Sequence, residues 1–229
     1  MQYTVGIPYV NRIDLLQRAI QSIPLYWGNT VVLDNSPERA LQHHSWLSDL
    51  VTVYTPPVPL TFTQSMNWFQ RLAAEKGADA VFYMHNDAEA YPGTPEAFLQ
   101  ALDELEASGK KWGLALTNFD ALAAYNMKAV RAVGSWDTVF SSYFADIDYH
   151  RRLRLAGYEE VFTGLPVEHH GSSTRKSDSK VNFIVDTTWP LYERYYELKW
   201  GGKMAQETYL TPFNQHLLRG GANHGSGSA

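Results

Sequence analysis

The sequence contains no cysteine, which excludes disulfide bonds and thiolate metal ligands and makes the cytosol the expected compartment. No apolar run approaches the roughly 20 residues of a membrane-spanning helix, and the opening MQYTVGIPYV lacks the basic segment of a signal peptide. The 229 residues carry a net charge of −5, which argues against a general nucleic-acid-binding protein. We expect a cytoplasmic protein with no transmembrane segment, and leave peripheral membrane association open.

The sequence also lacks the glycine-rich loops that cradle phosphates. Neither G-x-G-x-x-G nor G-x-x-x-x-G-K-[ST] occurs, and the first predicted strand continues instead into PYVNR at 8–12. A Rossmann dehydrogenase and a P-loop NTPase are therefore disfavoured. A nucleotide bound here would need another means of neutralising its phosphates, and a metal ion held by acids is one such means.

Short apolar strands alternate with helical patterns along the chain. We predict strands at 3–7, 30–33, 51–54, 80–84 and 112–117, and helices at 15–23, 62–74 and 95–107. This alternation predicts an α/β fold with a mostly parallel central sheet and helices on both faces. We expect a single domain over residues 1–215 and a flexible tail over 216–229, whose terminal GSGSA is typical of a cloning remnant.

Two carboxylates, Asp87 and Glu89, follow the buried strand at 80–84 with one residue between them. Alternation along an extended backbone would place both side chains on the same side. Oxygen ligands suit Mg²⁺ or Mn²⁺, which keep positions open for substrate phosphates. The alternative is a strand end before the turn at 91–93, with both acids solvated.

Other motifs recur in a fixed order over residues 3–174. The first half contains Ile7-Pro8, Asn11-Arg12, Val31–Ser36, Asn67 and His85–Glu89. The second half contains Gly134–Asp137, Tyr143–Asp148, Arg152, Ala156–Tyr158 and Val167–Ser173. In this order the chain resembles the inverting nucleotide-sugar glycosyltransferases of the GT-A fold, especially rhamnosyltransferase-like members of the family that includes cellulose and chitin synthases. It departs from their pattern at Ala145, where an acid is usual, and at Tyr149, where Leu is usual.

The resemblance implies a GT-A (Rossmann-like) fold and a metal-dependent enzyme that transfers a sugar from a UDP- or dTDP-sugar to a hydroxyl group with inversion. It places the general base at Asp146, although an acid there could instead cap the following helix. Asp148 is the reserve base, or a partner of Arg152 one helical turn later.

The resemblance also implies roles for the remaining motif residues. Mn²⁺ or Mg²⁺ would be held by Asp87 and Glu89, with a further ligand from His169 or His170. Contacts to the nucleotide are expected from Pro8, Tyr9, Asn11, Asp34, Asn67, Asp87 and Arg175. Contacts to the sugar or acceptor are expected from Gly134, Trp136, Asp137 and Asp148.

Several alternatives remain open at this point. Asp34 could cap the turn after its strand, Trp136 could belong to the core, and Arg175 could lie in a solvated loop. The aromatic residues between Trp189 and Trp200, at near-helical spacing, could pack on the sheet, form a homodimer contact or bind an acceptor.

The acceptor could be a glycan, a lipid-linked molecule or another hydroxyl compound. Competing functions are glycosylation of modified DNA bases, for which RRLRL at 151–155 and RKSDSK at 175–180 supply local positive charge, and non-catalytic binding of nucleotide-sugars.

Overall fold

The structure is a computed structural model that describes residues 1–171 and 176–215. Its strands are β1 (Tyr3–Tyr9), β2 (Thr30–Asp34), β3 (Thr52–Tyr54), β4 (Ala80–Met84), β5 (Ala88–Ala90), β6 (Trp112–Leu116), β7 (Leu122–Asn126), β8 (Glu159–Phe162) and β9 (Val167–His169). Its α-helices are α1 (Ile13–Gln21), α2 (Ser45–Ser48), α3 (Phe62–Glu75), α4 (Thr94–Ala107), α5 (Met127–Val133), α6 (Ala145–Leu155) and α7 (Ser179–Trp200). Short 3₁₀ helices span Pro24–Asn29, Ala40–His43 and Pro212–Asn214.

Seven strands form the central sheet in the order β3-β2-β1-β4-β7-β6-β8. The pairs β1–β2, β1–β4, β2–β3 and β6–β8 are parallel. Strand β7 runs antiparallel to both of its neighbours, β4 and β6. The prediction of a mostly parallel sheet is confirmed, and β7 is an addition that the sequence pattern did not reveal.

Helices cover both faces of this sheet because its central strands are apolar on both sides. In β4, Phe82 packs in the cluster that contains Leu16 of α1 and Phe98 of α4. Its neighbour Val81 faces the opposite cluster, with Phe69 of α3. Both layers are therefore built from alternate residues of the same strand.

Helix α3 begins where the sequence predicts it, at a capping box. The Thr61 side chain accepts a hydrogen bond from the Gln64 backbone N–H at 3.3 Å, and the Gln64 side chain accepts one from the Thr61 N–H at 2.9 Å. Along β1, Gly6 lets this helix approach closely, since a Cβ there would lie 2.4 Å from the Phe69 ring. A larger residue at position 6 would push α3 away from the sheet.

A separate two-stranded sheet pairs β5 with β9 in antiparallel register. The register places Ala88 opposite His169 and Ala90 opposite Val167. Neither strand was predicted, since each has only three residues. This small sheet matters for the site because it holds the end of β9 against the turn that follows β4.

Helix α7 is attached to the main body by a buried ionic network. Lys199, 4% exposed, lies 2.6 Å from Asp137 Oδ2 and 2.6 Å from Asp148 Oδ1. Asp148 is fully buried and also accepts hydrogen bonds from Arg152 Nε at 3.1 Å and Trp200 Nε1 at 2.9 Å. The network joins α6 to the end of α7, and Trp200 packs in the same core cluster as Phe69.

Lys199→Met should destabilise the protein by about 3–5 kcal/mol, because removing one member of a buried ion pair leaves uncompensated buried charge. Equilibrium unfolding in urea measures the change. Lys180→Met, an exposed lysine on the same helix, is the matched control and should change stability little. Equal stability of the two variants would contradict a structural role for Lys199.

Within the described ranges, no helix is both long enough and apolar enough to cross a bilayer. The predicted tail at 216–229 and the nucleotide contact predicted for Arg175 both lie outside the described residues. The single-domain organisation over residues 1–215 stays a prediction.

Candidate active site and metal centre

A cavity of about 410 Å³ opens at the carboxyl ends of β1 and β4, where ligands bind in open α/β sheets. Its wall combines aromatic and aliphatic side chains with a set of titratable groups. The acids and histidines in the wall are His85, Asp87, Asp120, Asp146, His150 and His169. The predicted residues Pro8, Asp87, Asp146 and His169 are among the lining residues.

Three of these groups converge closely enough to hold a metal ion. His85 follows β4, Asp87 lies in the next turn and His169 ends β9, and their ligand atoms all lie within 4.8 Å of one another. His169 Nε2 is 3.3 Å from Asp87 Oδ1, and His85 Nδ1 is 3.8 Å from the same oxygen. The pairing of β5 with β9 is what brings His169 to the other two.

The two imidazoles of this group differ electrostatically. The hydrogen bond to Asp87 raises the pKa of His169. Burial lowers the pKa of His85, against the opposing pull of Asp120 and Asp87. A metal ion binding here would displace a proton from His169 more often than from His85.

The donor set fits a divalent transition metal better than Mg²⁺. Mg²⁺ favours oxygen ligands, whereas two imidazoles and a carboxylate suit Mn²⁺ and its neighbours in the first row. Three protein ligands leave positions open for substrate oxygens. His85 was missed by sequence reasoning, although a histidine two residues before Asp87 was visible as a potential ligand.

Asp87 and Glu89 have different surroundings in the structure. Asp87 immediately precedes β5, where its carbonyl accepts a hydrogen bond from the His170 N–H at 3.0 Å, and it lines the cavity. Glu89 is outside the cavity wall, and its nearest ionic neighbour is His170, whose Nε2 is 3.6 Å from Glu89 Oε2. Glu89 and His170 therefore form a second pair apart from the metal-ligand group.

Asp146 enters the cavity from the first turn of α6. The preceding residue, Phe144, has φ 68°, which turns the chain sharply into the helix. Asp146 makes no hydrogen bond or ion pair with any residue in 1–171 or 176–215. Its carboxylate is therefore available to a substrate.

Two further groups in the wall were not predicted from the sequence. Asp120 lies in the loop between β6 and β7, and His150 lies one turn after Asp146 on α6. The Asp120 carboxylate raises the pKa values of both His85 and His169, so it is close to the metal-ligand group. The spacing of His150 from Asp146 was the sequence signal that could have identified it.

Asp34, the last residue of β2, is not among the residues that line the cavity. It is 1% exposed, and its Oδ1 accepts hydrogen bonds from the Ser36 N–H at 3.0 Å and the Ser36 hydroxyl at 2.5 Å. Its Oδ2 accepts the Leu41 N–H at 3.1 Å. These contacts match the alternative of a turn cap, and the contact with a nucleotide base stays a prediction.

Three other residues predicted to contact the nucleotide also lie outside the wall. Tyr9 is buried in the core and Asn11 is half-buried beyond the end of β1. Asn67 donates to the Trp136 carbonyl at 3.1 Å and accepts from the Trp136 N–H at 2.7 Å. Because both ends of its amide hold this backbone segment, Asn67 is better assigned to structure than to the nucleotide.

The residues predicted on the sugar or acceptor side, Gly134, Trp136, Asp137 and Asp148, are likewise absent from the cavity wall. Trp136 is 2% exposed and stacks on Tyr149, with ring centroids 4.2 Å apart. Asp137 and Asp148 belong to the buried network around Lys199, whose charge accounts for them. Trp136, Asp137 and Asp148 therefore have structural roles in the fold, and the sugar or acceptor contacts predicted for the four residues stay predictions.

The sheet order, the added small sheet and the cavity at the strand ends are those of a GT-A fold, as comparison with solved structures shows. Comparison with protein-family profiles and with curated protein sequences finds no match. Comparison with solved structures identifies the fold clearly, at identities that show the fold alone.

The chain is similar to the mannosyltransferase PcManGT from Pyrobaculum calidifontis in complex with GDP-Man and Mn²⁺, with 17% identity, a TM-score of 0.53, 76% of this chain covered and 59% of that one. It is similar to GalNAc-T7 with UDP, GalNAc and Mn²⁺, with 12% identity and a TM-score of 0.59. The match covers 87% of this chain and 50% of that chain. It is also similar to Mycobacterium tuberculosis glucosyl-3-phosphoglycerate synthase in complex with Mn²⁺, UDP and glucosyl-3-phosphoglycerate, with 14% identity, a TM-score of 0.53 and coverage of 82% and 79%. The chain thus spans less than two thirds of the first two.

Proposed function

We propose that this protein is a metal-dependent glycosyltransferase that moves a sugar from a nucleoside diphosphate sugar to a hydroxyl group with inversion at the anomeric carbon. The observation that carries the proposal is that the metal-ligand group and the carboxylate of Asp146 line one cavity. Solved proteins of the same fold contain GDP-Man or UDP together with Mn²⁺, which supports this donor class.

His85, Asp87 and His169 would hold the metal, preferably Mn²⁺. When bound, the metal supplies positive charge that binds the diphosphate and stabilises it as the leaving group. The protein offers no glycine-rich phosphate loop, so this charge is the main means of neutralising the diphosphate.

Asp146 would act as the general base. It accepts the proton of the acceptor hydroxyl while the new bond forms between that oxygen and the anomeric carbon. The bond from the anomeric carbon to the diphosphate oxygen breaks on the opposite face, and the diphosphate leaves with the electron pair. A single displacement of this kind inverts the configuration.

The basic segment after Asp146 does not support the alternative of a DNA substrate. Arg151 pairs with Glu207 at 3.4 Å, and Arg152 pairs with Asp148 at 3.1 Å. Arg154 pairs with Glu160 at 2.6 Å. Since each arginine has an acidic partner, the segment is not a free positive surface for phosphates.

Nucleotide binding should stabilise the protein only when metal is present. Solved proteins of the same fold contain GDP-Man or UDP, so UDP, dTDP and GDP are all compared, with and without Mn²⁺. A nucleotide at 100 times its dissociation constant adds about 2.7 kcal/mol of stability and raises the melting temperature in a thermal-shift assay. Absence of a shift with every nucleotide would contradict the proposed function.

A further inference from the structure

Helix α6 brings a second polar group to the cavity beside the proposed base. Asp146 and His150 are separated by four residues, and both line the cavity. Residues at this spacing lie on one helix face, with Cβ atoms about 5–6 Å apart. One small group, such as a hydroxyl, can therefore contact both side chains.

The two ring nitrogens of His150 have different surroundings. Nε2 is buried and has no hydrogen-bond partner among residues 1–171 and 176–215. Nδ1 makes no hydrogen bond with those residues either, but it is not buried. Since His150 is one of the residues that line the cavity, an unpartnered polar atom of its ring is available to a ligand there.

The imidazole is expected to be neutral in the free protein. Burial lowers the pKa of His150, against the raising effects of Glu160, Asp146 and Asp120, while Arg154 adds to the lowering. A neutral imidazole has one N–H donor and one acceptor nitrogen. Because unpartnered buried N–H groups are rarer than unpartnered acceptors, the proton is expected on Nδ1, the less buried of the two ring nitrogens.

His150 also lies near Asp146 within the cavity. The Asp146 charge raises the pKa values of Tyr83 and Tyr125 and opposes the lowering at His150. The His150 ring lies 6.4 Å from the Tyr125 ring, centroid to centroid. His150 is therefore placed to meet the attacking group.

We propose that His150 donates an Nδ1–H hydrogen bond to the oxygen of the attacking hydroxyl, while the proton of that hydroxyl points to Asp146. The two contacts together orient the hydroxyl for attack and leave one lone pair of its oxygen free. This inference rests on the proposed glycosyltransferase function, and it assigns a residue that the motif pattern leaves unassigned.

Substitutions at position 150 distinguish this role from packing. The assay measures nucleotide release from UDP-glucose, UDP-N-acetylglucosamine and GDP-mannose with Mn²⁺, where water is the attacking hydroxyl. Losing one hydrogen bond should lower kcat by about 3- to 10-fold in His150→Ala, with the KM for the donor unchanged. His150→Asn carries an N–H near the Nδ1 position and should restore kcat, whereas His150→Gln carries it near Nε2 and should not.

Two outcomes would overturn the assignment: an unchanged kcat in His150→Ala, whether or not KM rises, or rescue by Gln but not by Asn. His43→Asn, at an exposed histidine away from the cavity, should match the original protein. If the original protein binds none of the nucleotides with Mn²⁺, the proposed function fails instead, before position 150 is considered.

The protonation site can be tested without turnover. In protein labelled with ¹⁵N at histidine, the two resonances of His150 are identified by their loss in His150→Gln. At pH 7.5 we expect a protonated Nδ1 and an unprotonated Nε2. A proton on Nε2 would overturn the proposal, whatever the kinetic results.

Discussion

Asp146→Asn should lower the rate of sugar transfer, or of donor hydrolysis, by about 10²- to 10⁴-fold, the usual contribution of a general base. The amide has the shape of the carboxylate but does not accept the proton of the attacking hydroxyl. Asp146 makes no hydrogen bond or ion pair within the part of the chain that the structure describes, so its replacement should leave the melting temperature nearly unchanged. Steady-state kinetics with Mn²⁺ and a nucleotide-sugar measure the effect.

The closest competitor for this role is Asp120, a second carboxylate in the same cavity wall. Asp120→Asn is therefore the matched comparison, and we expect a smaller loss than in Asp146→Asn. Nucleotide affinity measured by calorimetry should be similar in both variants, because the diphosphate is bound through the metal. Unchanged turnover in Asp146→Asn would contradict the assignment of Asp146 as the base. A large loss of turnover confined to Asp120→Asn would assign that role to Asp120.

The strongest local patterns in the sequence predicted the fold well. Strand β4 at Ala80–Met84 and helix α3 from Phe62 match their predicted bounds closely, because one is a continuous apolar run and the other begins at a capping box. Strand β7, Leu122–Asn126, was missed. Its alanine-rich sequence has no strand periodicity, and its antiparallel place between β4 and β6 depends on long-range pairing.

The site was only partly predictable, because it also depends on long-range strand pairing. The resemblance placed Asp87, His169 and Asp146 in the site, and all three line the cavity. Which histidine joins Asp87 depends on the register of β5 against β9, two short strands about 80 residues apart in the sequence. Local spacing contains no information on that register, and so the sequence left the choice between His169 and His170 open.

The buried ionic network around Lys199 also limited what could be predicted from the sequence. Asp137 and Asp148 lie in segments that match the family pattern, which suggested contact with substrate. The spacing of Arg152 from Asp148 indicated one structural ion pair, but the shared partner Lys199 lies 62 and 51 residues later in the chain, so local spacing could not reveal it. Polar residues in a motif can thus serve the scaffold that holds the site rather than the site itself.

The metal-ligand group yields a prediction that separates the structural assignment from the sequence-based one. Asp87→Ala and His85→Ala should each abolish measurable Mn²⁺ binding in calorimetry and lower turnover by about 10³-fold or more, since a catalytic metal supplies several kcal/mol of charge stabilisation. Glu89→Ala should retain Mn²⁺ binding and turnover, because Glu89 lies outside the cavity wall beside His170.

This comparison is decisive because Asp87 and Glu89 are acids separated by one residue. If Glu89→Ala loses Mn²⁺ and His85→Ala retains it, the ligands are the two carboxylates and the His85 assignment is wrong. If His85→Ala loses Mn²⁺ and Glu89→Ala does not, the ion is held by two imidazoles and one carboxylate. The original protein should then prefer Mn²⁺ to Mg²⁺, since imidazole ligands disfavour the harder cation, and competition between the two ions in the same calorimetric cell measures that preference directly.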